Sequence, residues 1–251
     1  MRRISAYSIS LVIVNAWALF SLKAQDTLLI PLKIKAGLEV SGPAIYLSDK
    51  NIFNAEGYFA ADINEKMTAV LGAGYLSFKY SQYNYEYLSN GAFLRSGVDF
   101  NLMKPQKSMG KYWAGIGLRY GMSIFSSEVP SYEHDNYWGT TSSSIARETK
   151  WGHFVEVSPG VRSEIFKNFS IGWTISLRML LYTGTGKDLR PVYLPGYGNA
   201  AKSVSTGLNY FIVWNIPYKR IRVITKPEAP EEPEETTTPP GTVQQGTGIM
   251  Q

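Results

Sequence analysis

The sequence predicts an all-β protein: an eight-stranded antiparallel up-and-down transmembrane β-barrel with a disordered C-terminal tail. Alternating polarity, a secretory signal at the N-terminus and the complete lack of cysteine predict this fold together. The alternation is clearest over residues 169–182, where large apolar residues occupy every second position of most of the run. Successive side chains of a strand point to opposite faces, so one face is apolar and the other carries Arg178. An apolar face and a polar face in alternation are typical of strands that cross a membrane as a barrel.

The N-terminus has the layout of a secretory signal peptide. Arg2 and Arg3 supply positive charge, an apolar stretch covers about residues 9–20, and Ala24 is the small residue before the predicted cut. The alternative is an uncleaved N-terminal anchor, although the apolar stretch is short for a membrane helix. We therefore expect a signal peptide over residues 1–24 and a short periplasmic lead-in over residues 25–32.

Cysteine usage and charge exclude several classes of protein. Without cysteine, the chain has no lipoprotein acylation site, no disulfide, no thiolate metal ligand and no cysteine nucleophile. The formal net charge of +5 would suit nucleic-acid binding. An exported protein does not normally meet nucleic acid, so we expect no nucleic-acid partner. The basic residues are better explained by a membrane surface or by the interior of a barrel.

Eight segments fit membrane-crossing strands, and together they place the barrel over residues 33–218. They cover about residues 33–46, 55–63, 67–80, 87–102, 111–124, 151–165, 169–182 and 203–217. Short and long connections roughly alternate between them, and outer-membrane barrels have short periplasmic turns and longer outer loops. The sequence therefore predicts a location in the outer membrane with both mature termini in the periplasm.

The polar faces of these strands collect charged residues of both signs. The basic members are Lys33, Lys35, Lys79, Arg95, Arg119, Arg162 and Arg178, and the acidic members are Glu39, Glu56, Asp62, Asp99, Glu156 and Glu164. The lumen of an eight-stranded barrel is only wide enough for side chains to fill. Charges in such a space must pair, because isolated burial costs several kcal/mol per ion. The pattern predicts a plugged lumen with a structural charge network, and a proton or ion path along the pairs is the functional alternative.

A soluble lipocalin-like barrel is the main alternative to a membrane protein. It would place the charged residues outside and the aromatic and aliphatic residues inside. So many large apolar side chains would overfill the interior of an eight-stranded barrel. The lengths of the strands also favour a bilayer, because a tilted strand needs about 9–11 residues to cross one.

Two loops and the C-terminal tail are candidates for contacts with other molecules. Tyr83, Tyr85 and Tyr87 lie in a tyrosine-rich segment, and Tyr137 and Trp138 lie in the predicted long loop 125–150. Tyrosine is favoured in binding loops, but it also forms the aromatic belts at membrane interfaces. Proline and glutamate dominate residues 227–235 of the predicted disordered periplasmic tail, residues 219–251, which is either a solvated end or a tether for a periplasmic partner.

The residues needed for catalysis are not evident. The chain has two histidines, His134 and His153. His153 falls on the lipid-facing side of its strand, and His134 lies between acidic residues in a loop. We find no nucleophile paired with a base at a suitable spacing. The sequence therefore predicts no catalytic residues, no metal, no cofactor and no enzymatic activity.

The signal peptide, the glutamine after the cut, the eight strands and the short inward turns resemble the small outer-membrane β-barrel families of Gram-negative bacteria. The resemblance covers about residues 33–218 and is one of architecture, closest to uncharacterised and PorT-like small barrels. The plan is also similar to the OmpA-like transmembrane domain without its peptidoglycan-binding domain. No functional residue carries over from these families.

The resemblance implies a non-enzymatic accessory or scaffold subunit of an outer-membrane secretion or assembly complex, with membrane lipid and other proteins as partners. A surface protein that binds a glycan or a host protein through its loops is the alternative, and a narrow channel is a third hypothesis.

Overall fold

The computed structural model describes residues 27–184 and 190–224, which form a closed barrel of eight antiparallel strands. The barrel strands are β1 (Thr27–Glu39), β2 (Ile52–Asp62), β3 (Met67–Gln82), β4 (Tyr85–Asn101), β5 (Tyr112–Asn136), β6 (Gly139–Phe166), β7 (Phe169–Thr183) and β10 (Val204–Ile224). The other elements are the helix α1 (Ser41–Ser48), the helical turn α2 (Pro105–Ser108) and the small hairpin of β8 (Tyr193–Leu194) and β9 (Gly198–Asn199).

Barrel strands that follow one another along the chain are hydrogen-bonded neighbours, and β10 closes the ring by pairing with β1. This confirms the predicted eight-stranded antiparallel barrel. The predicted signal peptide and the part of the predicted tail beyond Ile224 lie outside the described residues.

Most of the large apolar side chains of the strands point outward. On β7, Ile171, Trp173 and Ile175 are each more than 40% exposed, whereas Ser176 and Arg178 are buried on the inner face. A continuous apolar surface of this kind is not found on water-soluble monomers. A closed barrel satisfies all its backbone hydrogen bonds between strands, which is what a lipid environment requires. The arrangement is therefore that of a membrane-spanning barrel and is opposite to the soluble alternative. Within the described residues, no helix is long and apolar enough to cross a membrane.

The barrel strands extend further toward the chain termini than the sequence predicts. Residues 27–32, expected as a lead-in, pair with residues 219–224, expected as part of the tail. A register shift between Leu32 and Lys33 separates this ribbon from the main wall. The sequence boundaries of 33 and 218 were therefore wrong, because the shift interrupts the regular alternation from which they were read.

The sequence predicts that residues 41–46 form the end of the first strand. In the structure they form the start of helix α1 instead. Pro43 has no N–H for a strand ladder. Gly42 lies so close to β2 that a Cβ atom would be 2.2 Å from the backbone oxygen of Asn54. The Glu39 carboxylate accepts hydrogen bonds from the backbone N–H groups of Ser41 (2.8 Å) and Gly42 (2.9 Å), which satisfies two donors at the start of the helix. As a result, β1 stops at Glu39, opposite Phe211 of β10.

The predicted loop 125–150 is mostly strand. β5 and β6 stay paired out to Asn136 and Gly139, so they form a hairpin that continues past the rest of the wall. Register shifts occur on both sides of Val129, and these bulges break the alternation that marks the other strands. A buried cluster of Tyr87 and Val129 stabilises the base of the hairpin, with Tyr132 and Ile145 packed against it.

Candidate functional site

The centre of the lumen is organised around one fully buried carboxylate, that of Glu156 on β6. Its oxygens lie 2.8 Å from Nε of Arg178, 3.3 Å from Nη1 of Arg119 and 3.4 Å from Nη1 of Arg95. The three arginines project from β4, β5 and β7, so Glu156 connects several parts of the wall through the interior. Burial of this group is tolerated only because charged donors surround it.

Two further carboxylates complete the charge balance of this cluster. Glu56 lies 3.0 Å from Arg95, and Asp99 lies 3.1 Å from Arg119. The cluster therefore contains three arginines and three carboxylates, and all six side chains are at least nine-tenths buried. The structure thus brings together six of the charged residues that the sequence places on the polar faces of the strands: Glu56, Arg95, Asp99, Arg119, Glu156 and Arg178.

A second group of charges lies toward the end of the barrel where Thr27 pairs with Ile224. Lys33 pairs with Glu164, and Lys35 pairs with Asp62. Arg162 donates to the Tyr58 hydroxyl (3.2 Å), and its guanidinium stacks over the Trp113 ring at 5.1 Å. The predicted residues Lys35, Arg162 and Glu164 therefore lie inside the barrel, but none of them shares an ion pair with the Glu156 cluster.

The sequence predicts that Glu39 and Lys79 belong to the charge network of the lumen, but neither of them pairs with its members in the structure. Glu39 is buried, but it binds the backbone at the start of α1 and not a basic side chain. Lys79 is exposed on the outward side of β3. The inward residues of β3 include the buried Val70 and Leu76, and the outward residues include Leu71 and Tyr75, so both faces of this strand are apolar and its pattern does not reveal which face is internal. The placement of Lys79 in the lumen was wrong for this reason.

The mouth of the lumen at the end opposite Thr27 and Ile224 is filled by residues 190–203, the part of the connection that leads into β10, which we call the plug loop. Leu194 and Tyr197 are completely buried and pack against Phe125 and Phe154 of the wall. The Tyr197 hydroxyl donates to the backbone oxygen of Lys202 at 2.6 Å. Burial raises the pKa of the Tyr197 phenol, so the hydroxyl keeps the proton that it donates.

Backbone oxygens of the plug loop bind the arginines of the central cluster. Nη2 of Arg95 donates to the oxygen of Gly196 (2.7 Å), and Nη1 of Arg178 donates to the oxygen of Tyr197 (3.3 Å). Gly196 has a φ of +74°, and a Cβ atom there would lie 2.6 Å from the Phe93 ring. Only glycine fits both conditions, so the close seating of the plug depends on this residue. This contact was not predicted from the sequence, although the apolar and glycine-rich run 191–198 is unusual for a solvated loop.

The candidate aromatic contact residues separate into two groups. Tyr83 is fully exposed, and Tyr137 and Trp138 at the hairpin tip are 93% and 90% exposed. Tyr87 is completely buried, and its hydroxyl accepts a hydrogen bond from the backbone N–H of Val192 in the plug loop at 3.1 Å. Tyr85 is partly buried against the same cluster. Tyr87 is therefore a packing residue and not a contact residue, because it points into the lumen.

The comparisons with known proteins identify a family. The model of DUF6048, described as a domain of unknown function, matches residues 4–221. The chain belongs to this family. The curated proteins contain no match. A similar solved structure is that of Ail, the attachment invasion locus protein of Yersinia pestis, with a TM-score of 0.34 and 8% identity; the match covers 77% of this chain and 98% of Ail.

The two histidines of this DUF6048 protein lie apart from the central cluster. His153 is on the outward side of β6, and its Nδ1 is 2.9 Å from the hydroxyl of Tyr120, another outward-facing residue. His134 is exposed on the hairpin, where it pairs in register with Thr141. In the described ranges, no group of three or more His, Asp or Glu side chains is arranged to hold a metal ion. The chemistry of the lumen is that of charge pairing.

Proposed function

We propose that this protein is a non-enzymatic outer-membrane β-barrel that acts as an accessory or scaffold subunit of a larger outer-membrane assembly. The observation that carries the proposal is the β5–β6 hairpin. β7 pairs with β6 only from Gly152 onward, whereas β5 and β6 remain paired as far as Gly139. A projection of this kind has no role in closing the barrel, so it is available for contact with another protein.

The outer edge of the hairpin supports this proposal. Residues 139–149 of β6 pair with β5 on one side, and no other described strand lies along the second side. These residues are rich in serine and threonine, and most of them are exposed. A free strand edge of this length is a template for an added strand from a partner, in which backbone hydrogen bonds supply the affinity.

The lumen supports a scaffold more than a channel or an enzyme. The buried arginines and carboxylates form ion pairs with one another, and the plug loop binds two of the arginines. The resemblance to PorT-like barrels is consistent with a subunit of secretion or assembly machinery. We place the hairpin outside the cell and both termini in the periplasm, because the longest excursions from the wall, which are the β5–β6 hairpin, residues 40–51 and the plug loop, lie at the end opposite Thr27 and Ile224.

A surface protein that binds a glycan or a host protein is the second candidate. It is favoured by the aromatic residues at the tip, since Tyr137 and Trp138 are almost completely exposed and their rings contact each other edge to face at 5.3 Å. Exposed aromatic side chains are suited to stacking on sugar rings or packing against protein.

Shortening the hairpin tests the scaffold proposal. The variant replaces residues 133–142 with Asn-Gly, so that the paired residues Tyr132 and Ser143 flank a two-residue turn. The cluster at the base of the hairpin stays intact, and we expect the barrel to insert and to keep its heat-dependent shift in gel mobility. We expect proteins that co-purify with the native chain in mild detergent, after cross-linking in whole cells, to be lost.

The double variant Tyr137→Ser, Trp138→Ser separates the two candidates. A scaffold that uses the strand edge keeps its co-purifying proteins in this variant, whereas a binder that uses the aromatic tip loses glycan or host-protein capture. Purification of the native chain as a monomer with no cross-linked protein, or full retention of partners by the shortened hairpin, contradicts the scaffold proposal.

A further inference from the structure

The ribbon formed by residues 27–32 of β1 and residues 219–224 of β10 extends beyond the barrel wall. The neighbouring strands do not follow it, because β2 pairs with β1 only from Ile34 and β7 pairs with β10 only as far as Trp214. Residues 219–224, which we call the β10 edge, therefore pair with β1 on one side and with no described strand on the other. An edge of this kind presents unpaired backbone donors and acceptors.

One face of the ribbon is packed against the barrel. Ile30 and Leu32 are each only 4% exposed, and a Cβ atom at Gly110 would lie 3.4 Å from Cγ2 of Ile30. At the base of the ribbon, Nζ of Lys33 donates to the backbone oxygen of Gly110 at 2.7 Å. The segment that leads into β5 therefore holds the ribbon in place. An edge that is already positioned loses little conformational freedom when a partner binds to it.

The opposite face of the ribbon is exposed and combines aliphatic residues with arginines. Leu29 is 57% exposed and Ile224 is 64% exposed, and Arg220 and Arg222 are exposed as well. Leu29 and Arg222 are cross-strand partners, and Ile224 lies two residues further along the same face. Apolar residues beside arginine are typical of a surface that packs against another protein.

The end of the barrel that carries the ribbon is strongly basic. Its exposed basic residues are Lys66, Lys104, Lys107, Lys111, Lys167, Lys219, Arg220 and Arg222. Apart from the central cluster, the acidic residues described toward this end are Glu65, Asp62 and Glu164. The last two already pair with Lys35 and Lys33 inside the lumen. The positive charge at this end is therefore not balanced within the described residues, and three of the basic residues lie on the β10 edge itself.

The two edges of the ribbon differ in what they can bind. Residues 27–32 are uncharged and include Pro31, which has no N–H to donate, whereas the β10 edge is basic and contains no proline. Proline also recurs at positions 227, 230 and 233 of the chain's own glutamate-rich segment, which therefore lacks N–H donors that an added strand uses. The β10 edge is thus suited to an acidic segment from a different chain.

We propose that the β10 edge binds an extended acidic segment of a partner protein, which adds to the ribbon as a strand. Backbone hydrogen bonds supply the affinity, and carboxylates of the added segment pair with Arg220 and Arg222. The same charges repel a second copy of this edge, so they select an acidic strand over self-association. This surface lies at the end of the barrel opposite the hairpin and does not depend on the scaffold proposal.

Binding of defined peptides tests this surface. The full-length processed protein in a neutral detergent is titrated into a labelled peptide that has the length of the β10 edge and alternates glutamate with threonine and valine. Fluorescence anisotropy gives the Kd. One comparison peptide carries lysine in place of glutamate, and another keeps the glutamates but is methylated at alternate backbone nitrogens. We expect the acidic peptide to bind at least about tenfold more tightly than either, because each comparison removes one of the two sources of affinity.

Matched charge reversals locate the binding surface. We expect the double variant Arg220→Glu, Arg222→Glu to weaken binding of the acidic peptide at least about tenfold. The double variant Lys66→Glu, Lys107→Glu makes the same change of charge at the same end of the barrel, but neither residue is on the ribbon. We expect this control to bind the peptide with little loss.

Each variant is first checked for its heat-dependent gel shift, so that only folded barrels are compared. Equal binding of the acidic and lysine peptides, undiminished binding of the methylated peptide, or equal losses in the two double variants overturns the proposal. Phosphatidylglycerol, added to the detergent at the same concentration of charge as the peptide, is expected to leave the peptide bound. Complete displacement would assign the basic end to a lipid surface and would also overturn the proposal.

Discussion

Replacing Glu156 with alanine is expected to lower the free energy of unfolding by about 3–5 kcal/mol, the usual cost of breaking a buried ion pair by removing one partner. Glu156 is completely buried and lies within 3.4 Å of Arg95, Arg119 and Arg178. Without its carboxylate, the three guanidinium groups repel one another in a space that water does not easily reach. The measurement is equilibrium unfolding in urea after reconstitution into lipid vesicles, followed by tryptophan fluorescence.

Glu148→Gln is the matched control for this variant. Glu148 also forms an ion pair, with Lys150 at 3.1 Å; the Lys150 side chain is buried, but that of Glu148 is 32% exposed on the hairpin. The glutamine amide oxygen can still accept a hydrogen bond from Lys150 and solvent screens this position, so we expect a smaller loss of stability than for Glu156→Ala. If the two variants lose the same amount of stability, Glu156 does not organise the lumen in the way the geometry indicates.

The second large effect is expected for Leu118→Arg. Leu118 is 47% exposed on the outward face of β5, and it pairs in register with the outward residues Val98 and Val157. An arginine near the middle of a lipid-facing wall costs about 2–4 kcal/mol. We expect the variant to fold slowly into vesicles and to unfold at a lower urea concentration than the native protein.

Tyr83→Arg is the control for charge alone, because Tyr83 is fully exposed in the turn between β3 and β4. Gly117→Ser, on the lumen side of the same strand, is not a suitable control. A Cβ atom at Gly117 would lie 2.5 Å from the Asp99 carboxylate and 2.6 Å from the Ser158 hydroxyl. Equal stability of Leu118→Arg and Tyr83→Arg would contradict the assignment of the outward face to lipid.

Much of the fold can be predicted from the sequence because each strand of the wall has two different environments. On β5 and β6, large apolar residues alternate with glycine, serine and charged residues, and the structure places the two sets on opposite sides. This period of two gives the strands, their faces and most of the lumen charges. The partners within the lumen do not follow from it, since they depend on the stagger of strands around the ring.

The parts that the sequence did not predict are those in which tertiary contacts override the alternation. α1 forms because Gly42 and Pro43 interrupt the first strand. Glu39 accepts hydrogen bonds from the backbone at the start of this helix and does not pair with a basic side chain. β3 carries valine and leucine on its inner face, which led to the wrong placement of Lys79. The plug loop lies between two strands in the sequence, where a solvated connection is expected, but its apolar residues fill the barrel mouth.

Collision measurements on spin labels test most directly whether the outward face contacts lipid. The chain contains no cysteine, so single cysteines at Ile116, Leu118, Ile171 and Ile175 can each carry one nitroxide. In lipid vesicles, we predict frequent collisions with oxygen and rare collisions with a water-soluble nickel complex at these sites, and the reverse at Tyr83 and Tyr137. Nickel collisions at the four wall sites as frequent as those at Tyr83 and Tyr137 would show that water covers the wall and would contradict a membrane-spanning barrel.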